Sequence, residues 1–146
     1  MKKILYIVGI DGSEWSARAA QRAVTIAKDT GASVKFVTVM TFQPSYQSGM
    51  MTYGYSMPEF DIKEQERQTL ENDVTPLIKK YSDEVELSSE LIWGDPVEVL
   101  LEQAKSHHAN MLFMGRRGRS RLTDLLLGST ANKVAHCAGI PIVLVP

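Results

Sequence analysis

Five short apolar runs, set apart by stretches long enough for a helix, restrict this chain's fold more than any other feature. They read "ILYIVGI" (4–10), "SVKFVTVM" (33–40), "EVELSSELIW" (84–93), "ANMLFMG" (109–115) and "IPIVLVP" (140–146). Near-continuous apolar runs of this length are the pattern of strands covered on both faces. The third is different: Val85, Leu87, Ser89, Leu91 and Trp93 alternate with more polar residues, as in a half-exposed strand.

The intervening segments carry helical signals. In 14–30, Ala19, Ala20, Ala23, Val24 and Ala27 recur at helical spacing, with Ser13 placed to cap the start and Gly31 the end. A polar helix is predicted from about Pro58 to Tyr81, with Leu70, Val74, Leu77, Ile78 and Tyr81 on one stripe and Pro76 bending or breaking it. Asp95, Pro96 and Glu98 open a third helix as N-cap, first helical position and capping-box partner. A fourth is predicted over about 129–138, with Ala131, Val134, Ala135 and Ala138 inward and Gly139 as its stop. Residues 42–57 show no clean period and read as a long loop.

Strands alternating with helices imply right-handed crossovers, hence an α/β fold: one open five-stranded parallel sheet with helices on both faces. The 146 residues suit one domain over 1–146 and are too few for two.

Bulk chemistry removes several function classes. Sixteen basic residues against seventeen acidic ones give no global charge to favour nucleic acid. No apolar stretch approaches the roughly 20 residues of a membrane span. The start "MKKILYIVGIDGS" mimics a signal peptide, but its apolar run meets Asp11 at once and lacks a small-residue cleavage site, so it is read as the first strand. The lone Cys137 excludes an internal disulfide and fits a reducing cytoplasm. His107, His108 and His136 lack metal-ligand spacing, and His136 and Cys137 are adjacent on a helix, so their side chains diverge.

In an open parallel sheet, ligands bind beyond the carboxyl ends of the strands where the strand order reverses. Two loops at that end are informative: "IDGS" after the first strand and "GRRGRSRLTDLLLGST" (115–130) after the fourth. Gly115 and Gly118 let successive amides turn inward as an anion nest. Gly128, Ser129 and Thr130 open the last helix, whose free N–H groups and dipole favour an anion. Two glycine corners presenting amides suit a polyphosphate. Neither G-x-x-x-x-G-K-[ST] nor G-x-G-x-x-G occurs; the spacing present is G-x2-G-x9-G-[ST], through Gly115, Gly118, Gly128 and Ser129.

With that spacing, and with "VGIDGSEWS", "GDP", "MGRRG" and "LLLGSTANKVAHCAGIPIVLV" in matching places, the chain resembles the universal stress protein family over essentially its whole length. The resemblance implies strand order 3-2-1-4-5, a Rossmann-like fold of the adenine nucleotide alpha hydrolase type, and ATP binding where the glycine pattern is complete. Carried over by position, Asp11 lies beside adenine and ribose, and the main chain at Val39 reads the adenine edge. Met114 and Gly115 flank the sugar, while Gly118, Arg119, Gly128, Ser129 and Thr130 surround the phosphates. Mg2+ or Mn2+ would be held mainly by phosphate oxygens. The family also implies a homodimer through the last strand, 140–145, whose apolar edge invites a second chain.

Other readings stand beside these. Asp11 also suits a helix-capping role, and the two roles are compatible. Adjacent arginines cannot both enter one pocket, so the Arg119 backbone N–H is expected there ahead of any guanidinium of Arg116, Arg117, Arg119 or Arg121. Gly94 is read as turn chemistry and Asp124 as a solvated carboxylate. Tyr46, Met50, Met51, Tyr53, Tyr55 and Met57 would cover a nucleotide, meet a partner or pack locally. Four functions compete: an ATP-responsive stress regulator acting on a downstream protein partner, a slow ATPase, a nucleotide-free dimeric scaffold, and a phosphoacceptor receiver domain. The last is set aside, since Asp11 stands alone and no lysine follows the last strand.

Overall fold

The computed structural model describes residues 2–42, 59–119 and 127–146, with the side chains of 59 and 60 excepted. The 42–57 cluster beyond Phe42, together with Arg121 and Asp124, lies outside the described residues.

The chain forms β1 (Leu5–Gly9), α1 (Glu14–Thr30), β2 (Ser33–Met40), α2 (Glu59–Thr69), a π-helical turn (Leu70–Val74), α3 (Thr75–Tyr81), β3 (Leu87–Trp93), α4 (Pro96–Ser106), β4 (Met111–Gly115), α5 (Ser129–Cys137) and β5 (Ile142–Val145). The strands make one sheet in the order β3-β2-β1-β4-β5, and every pair is parallel. This is the predicted α/β architecture and strand order. It puts the reversal between β1 and β4, so the crevice opens beyond their carboxyl ends.

Each face of the sheet has its own core. Tyr6, Val8, Phe36 and Phe113 pack with α1 and with Val74 and Tyr81. Ile7, Val37, Leu112 and Met114 pack on the opposite face with Leu100 and Ala104 of α4 and with Val134 of α5. The inner face of α1 is almost all alanine, and Ala19, Ala20 and Ala23 are fully buried, so the helix backbone lies close on the sheet. Its ends are set as predicted: the Ser13 side chain accepts from Ser16 N–H, and Gly31 closes it at φ 72°. The Asp95 carboxylate accepts from Glu98 N–H and starts α4.

Four local expectations are corrected. The break expected at Pro76 takes the form of a π-helical turn, in which Thr75 N–H reaches back five residues to Leu70 O. The widened turn makes room ahead of Pro76, whose ring would otherwise meet the Asn72 carbonyl. The extra residue rotates the stripe, so Val74 and Tyr81 are buried while Leu70 is 37% exposed. The third strand starts at Leu87 rather than 84, because Glu84 N–H and Val85 N–H both turn back to the Tyr81 carbonyl. The last helix ends at Cys137, on an extended Ala138 rather than on Gly139. Finally, β5 is four residues, Ile142–Val145, because its first contact with β4 is made by the Pro141 carbonyl, which accepts from Leu112 N–H.

Candidate functional site

The β1–α1 turn is built around Asp11. Ile10 N–H donates to the Val37 carbonyl at 2.9 Å, keeping the strand end paired with β2. Asp11 Oδ1 then accepts from Ser13 N–H at 2.9 Å and from Ser13 Oγ at 2.5 Å. One carboxylate oxygen thus braces the residue that caps α1. The other, Oδ2, faces Gly118: a Cβ placed on Gly118 would lie 2.8 Å from it. Gly12 completes the turn at φ 80°, where a side chain is strained.

The β4–α5 connection is pinned at both ends. Arg116 N–H donates to the Val145 carbonyl at 2.7 Å as the last rung of the sheet, and Gly128 N–H donates to the Arg116 carbonyl at 2.8 Å. That second bond corrects one expectation, since the Gly128 amide is used inside the protein and does not face a ligand. The donors at this corner come from the next residues. The first intrahelical bond of α5 runs from Asn132 N–H to the Gly128 carbonyl, and the N-cap residue, Gly128, has no side chain with which to cap the helix. Ser129, Thr130 and Ala131 N–H are therefore left without intrahelical partners. At Gly115 the chain passes so close to α1 that a Cβ would fall 2.7 Å from Trp15 Cβ and 2.8 Å from the Arg117 carbonyl.

Between these loops lies a cavity of about 210 Å³. Asp11, Val39, Met114, Gly115, Gly118, Arg119, Gly128, Ser129 and Thr130 all line it. Val37, Val39, Pro96 and Leu100 give it an apolar wall on the β2 and α4 side. The opposite wall is loop backbone and the start of α5. Such a cleft accepts a flat apolar body against one wall and an anion against the other. Gly94 is not among the lining residues, and its N–H donates to the Met40 carbonyl, in keeping with a turn role.

One side chain at this site, Asp73, escaped sequence reasoning, and another, Arg117, was weighed only as one of four arginines. Arg117 lines the cavity, and its Nε, like that of Arg116, is buried with no hydrogen-bond partner among the described residues. The two adjacent arginines do split as argued, since Arg116 does not line the cavity, but nothing in the sequence says which one enters. Asp73, on the π-helical turn, accepts from Arg119 Nη2 at 2.6 Å. A helical wheel without the extra residue would not put it there.

Away from the cleft, Lys35 is buried beneath β3 and α4, donating to Glu90 at 2.5 Å and Gln103 at 2.9 Å, with His107 Nε2 at 3.1 Å. Beside an ammonium, His107 Nε2 acts as the acceptor. Cys137 is exposed. Among the described residues, no three His, Cys, Asp or Glu side chains gather as a metal centre, and no helix is long and apolar enough to cross a membrane.

A sequence model described as the universal stress protein family matches residues 1–146. The chain belongs to the universal stress protein family. Among its relatives, universal stress protein MJ0531 of Methanocaldococcus jannaschii is 31% identical, over 99% of this chain and 81% of that protein. The universal stress protein UspA of Lactobacillus plantarum shares the fold at 19% identity and a TM-score of 0.71, covering 100% of this chain and 99% of that one. A universal stress protein solved in complex with cAMP is 26% identical at a TM-score of 0.69, over 98% of this chain and 97% of that one. Membership in the universal stress proteins is thus carried by the whole chain, the two loops of the cleft included.

Proposed function

We propose that this universal stress protein binds ATP in the cleft between the β1–α1 and β4–α5 loops and works as a cytoplasmic homodimer, a nucleotide-responsive regulator. The observation that carries the reading is the convergence of glycine-lined backbone and the open N-terminus of α5 on one cavity that also has an apolar wall. A helix start with free N–H groups favours a phosphate. Val37, Val39 and Leu100 offer a surface for a purine. The cAMP complex of a 26% identical family member supports an adenine nucleotide as the ligand class. Mg2+ or Mn2+ would enter on phosphate oxygens. Among the described residues lining the cleft there is no lysine, which supports hydrolysis that is slow where it occurs.

The open edge of β5 supports dimerisation. Pro141 and Val145 turn their carbonyls to β4, so the alternate residues Ile142 and Leu144 direct their N–H and C=O groups to the open side. A nucleotide regulates such a dimer only by binding two of its conformations unequally.

A nucleotide-free scaffold is the second reading. It is favoured by the Gly128 and Arg119 donors, both already engaged within the protein. Denaturing the purified protein and identifying the released small molecules, followed by titration with ATP, separates the two. Retained or titratable ATP supports the regulator, and a turnover assay then measures hydrolysis. No release and no binding at millimolar ATP leaves the scaffold.

A further inference from the structure

Arg119 lines the cleft, yet its guanidinium is bound elsewhere. Its Nη2 lies 2.6 Å from Asp73 Oδ2; the Asp73 side chain is 13% exposed and that of Arg119 64%. The pair rests on the β1–α1 turn. A Cβ on Gly12 would collide with Arg119 Nη2 and would sit 2.6 Å from the Asp73 carboxylate. The bond therefore runs beside the cleft, from the turn between α2 and α3 to the β4–α5 loop, over Gly12, where a side chain would obstruct it. The π-helical turn is what brings Asp73 there. Arg117, two residues away, also lines the cavity.

We infer that Asp73 is a specificity-determining residue of the cleft: its carboxylate occupies the Arg119 guanidinium that a ligand phosphate would otherwise engage, so a polyphosphate must break the Asp73–Arg119 pair to be fully bound. The inference rests on reading the cleft as a nucleotide site. Carboxylate and phosphate oxygens are equivalent acceptors for a guanidinium, so the two compete. Asp73 also places a negative charge beside the entering anion, and that opposition grows with each phosphate. Adenosine is unaffected, a monophosphate is opposed weakly and a triphosphate most.

The test is calorimetric titration of the full chain and of Asp73→Asn with adenosine, AMP, ATP and inorganic tripolyphosphate. The variant is expected to bind ATP and tripolyphosphate about three- to tenfold more tightly, the scale of one charged hydrogen bond near the surface, with adenosine unchanged. Equal or weaker ATP binding by the variant overturns the inference, as does a gain for adenosine as large as that for ATP. If neither protein binds any nucleotide, the nucleotide reading of the cleft fails and tripolyphosphate alone decides: a gain in the variant sustains the competition, and no gain overturns it. Should Asp73→Asn not fold, the Asp73 carboxyl carbon signal is followed by NMR in the unaltered protein. Movement on saturation with tripolyphosphate, with Asp29 at the far end of α1 unmoved, supports release of the pair; an unmoved Asp73 signal overturns it.

Discussion

Gly118→Val tests the cleft most directly. Gly118 has no left-handed φ, so a side chain brings no backbone strain, only a collision. Its Cβ would stand 2.8 Å from Asp11 Oδ2, where ordinary contact begins at 3.4 Å, so the carboxylate must retreat by about 0.6 Å. That retreat pulls on the bonds Asp11 accepts from Ser13 N–H and Oγ. Loosening the brace of a helix cap costs about 1 kcal/mol, a fall in Tm of about 2–4 °C for a chain of this size. The effect on ATP is larger. The valine methyls fill the space where a phosphate oxygen would meet the Gly118 and Arg119 amides. Losing one hydrogen bond to a charged group, about 1.5–3 kcal/mol, weakens binding about ten- to a hundredfold. Thermal unfolding and isothermal titration calorimetry on the same preparation read the two effects separately. A variant with the small Tm loss and unchanged ATP affinity would refute the assignment of phosphates to this loop.

Gly12→Ala should destabilise more than its size suggests: a non-glycine residue at φ 80° costs about 1–2 kcal/mol, and its Cβ displaces the Asp73–Arg119 pair. Urea unfolding measures it, and a midpoint equal to the parent's contradicts the described turn. Asp95→Ala removes the acceptor of Glu98 N–H and should cost about 1 kcal/mol, again read by urea unfolding, with ATP affinity unchanged because Asp95 does not line the cavity. Leu144→Pro deletes an N–H on the open side of β5 while sparing the Val145 carbonyl that accepts from Arg116. If the proposed dimer forms through β5, light scattering should report a dimer for the parent and a monomer for the variant. A folded variant that stays dimeric places the interface elsewhere.

The strands, the helices and their order could be read from the sequence because the pattern behind them is local. An apolar run of six or seven residues, an alanine stripe at helical spacing, or a Ser, Asp or Gly at a helix end acts through neighbours within a few residues. Ser13, Gly31 and Asp95 reached their expected places, whereas Gly139 did not. The parallel sheet followed from the alternation of elements, since same-direction strands need a crossover between them. Where the sequence reading slipped, a neighbour far along the chain or a backbone irregularity had intervened. Leu70 keeps the spacing of its stripe, but the π-helical turn ahead of Pro76 carries it out toward solvent. The third strand is trimmed because its first residues fold back on Tyr81.

For the cleft, the residue types and their glycine spacing were determined by the sequence alone, and with them the identity of the two loops that face each other. Which donors remain free was decided only by the tertiary structure. The Gly128 amide is taken by Arg116, Arg117 and not Arg116 lines the wall, and Arg119 is held by a carboxylate 46 positions away. The physical reason is that a hydrogen bond is exclusive and directional. A motif states which groups are present, but each group's partner depends on everything folded within about 3 Å of it, and that neighbourhood exists only once the sheet has closed.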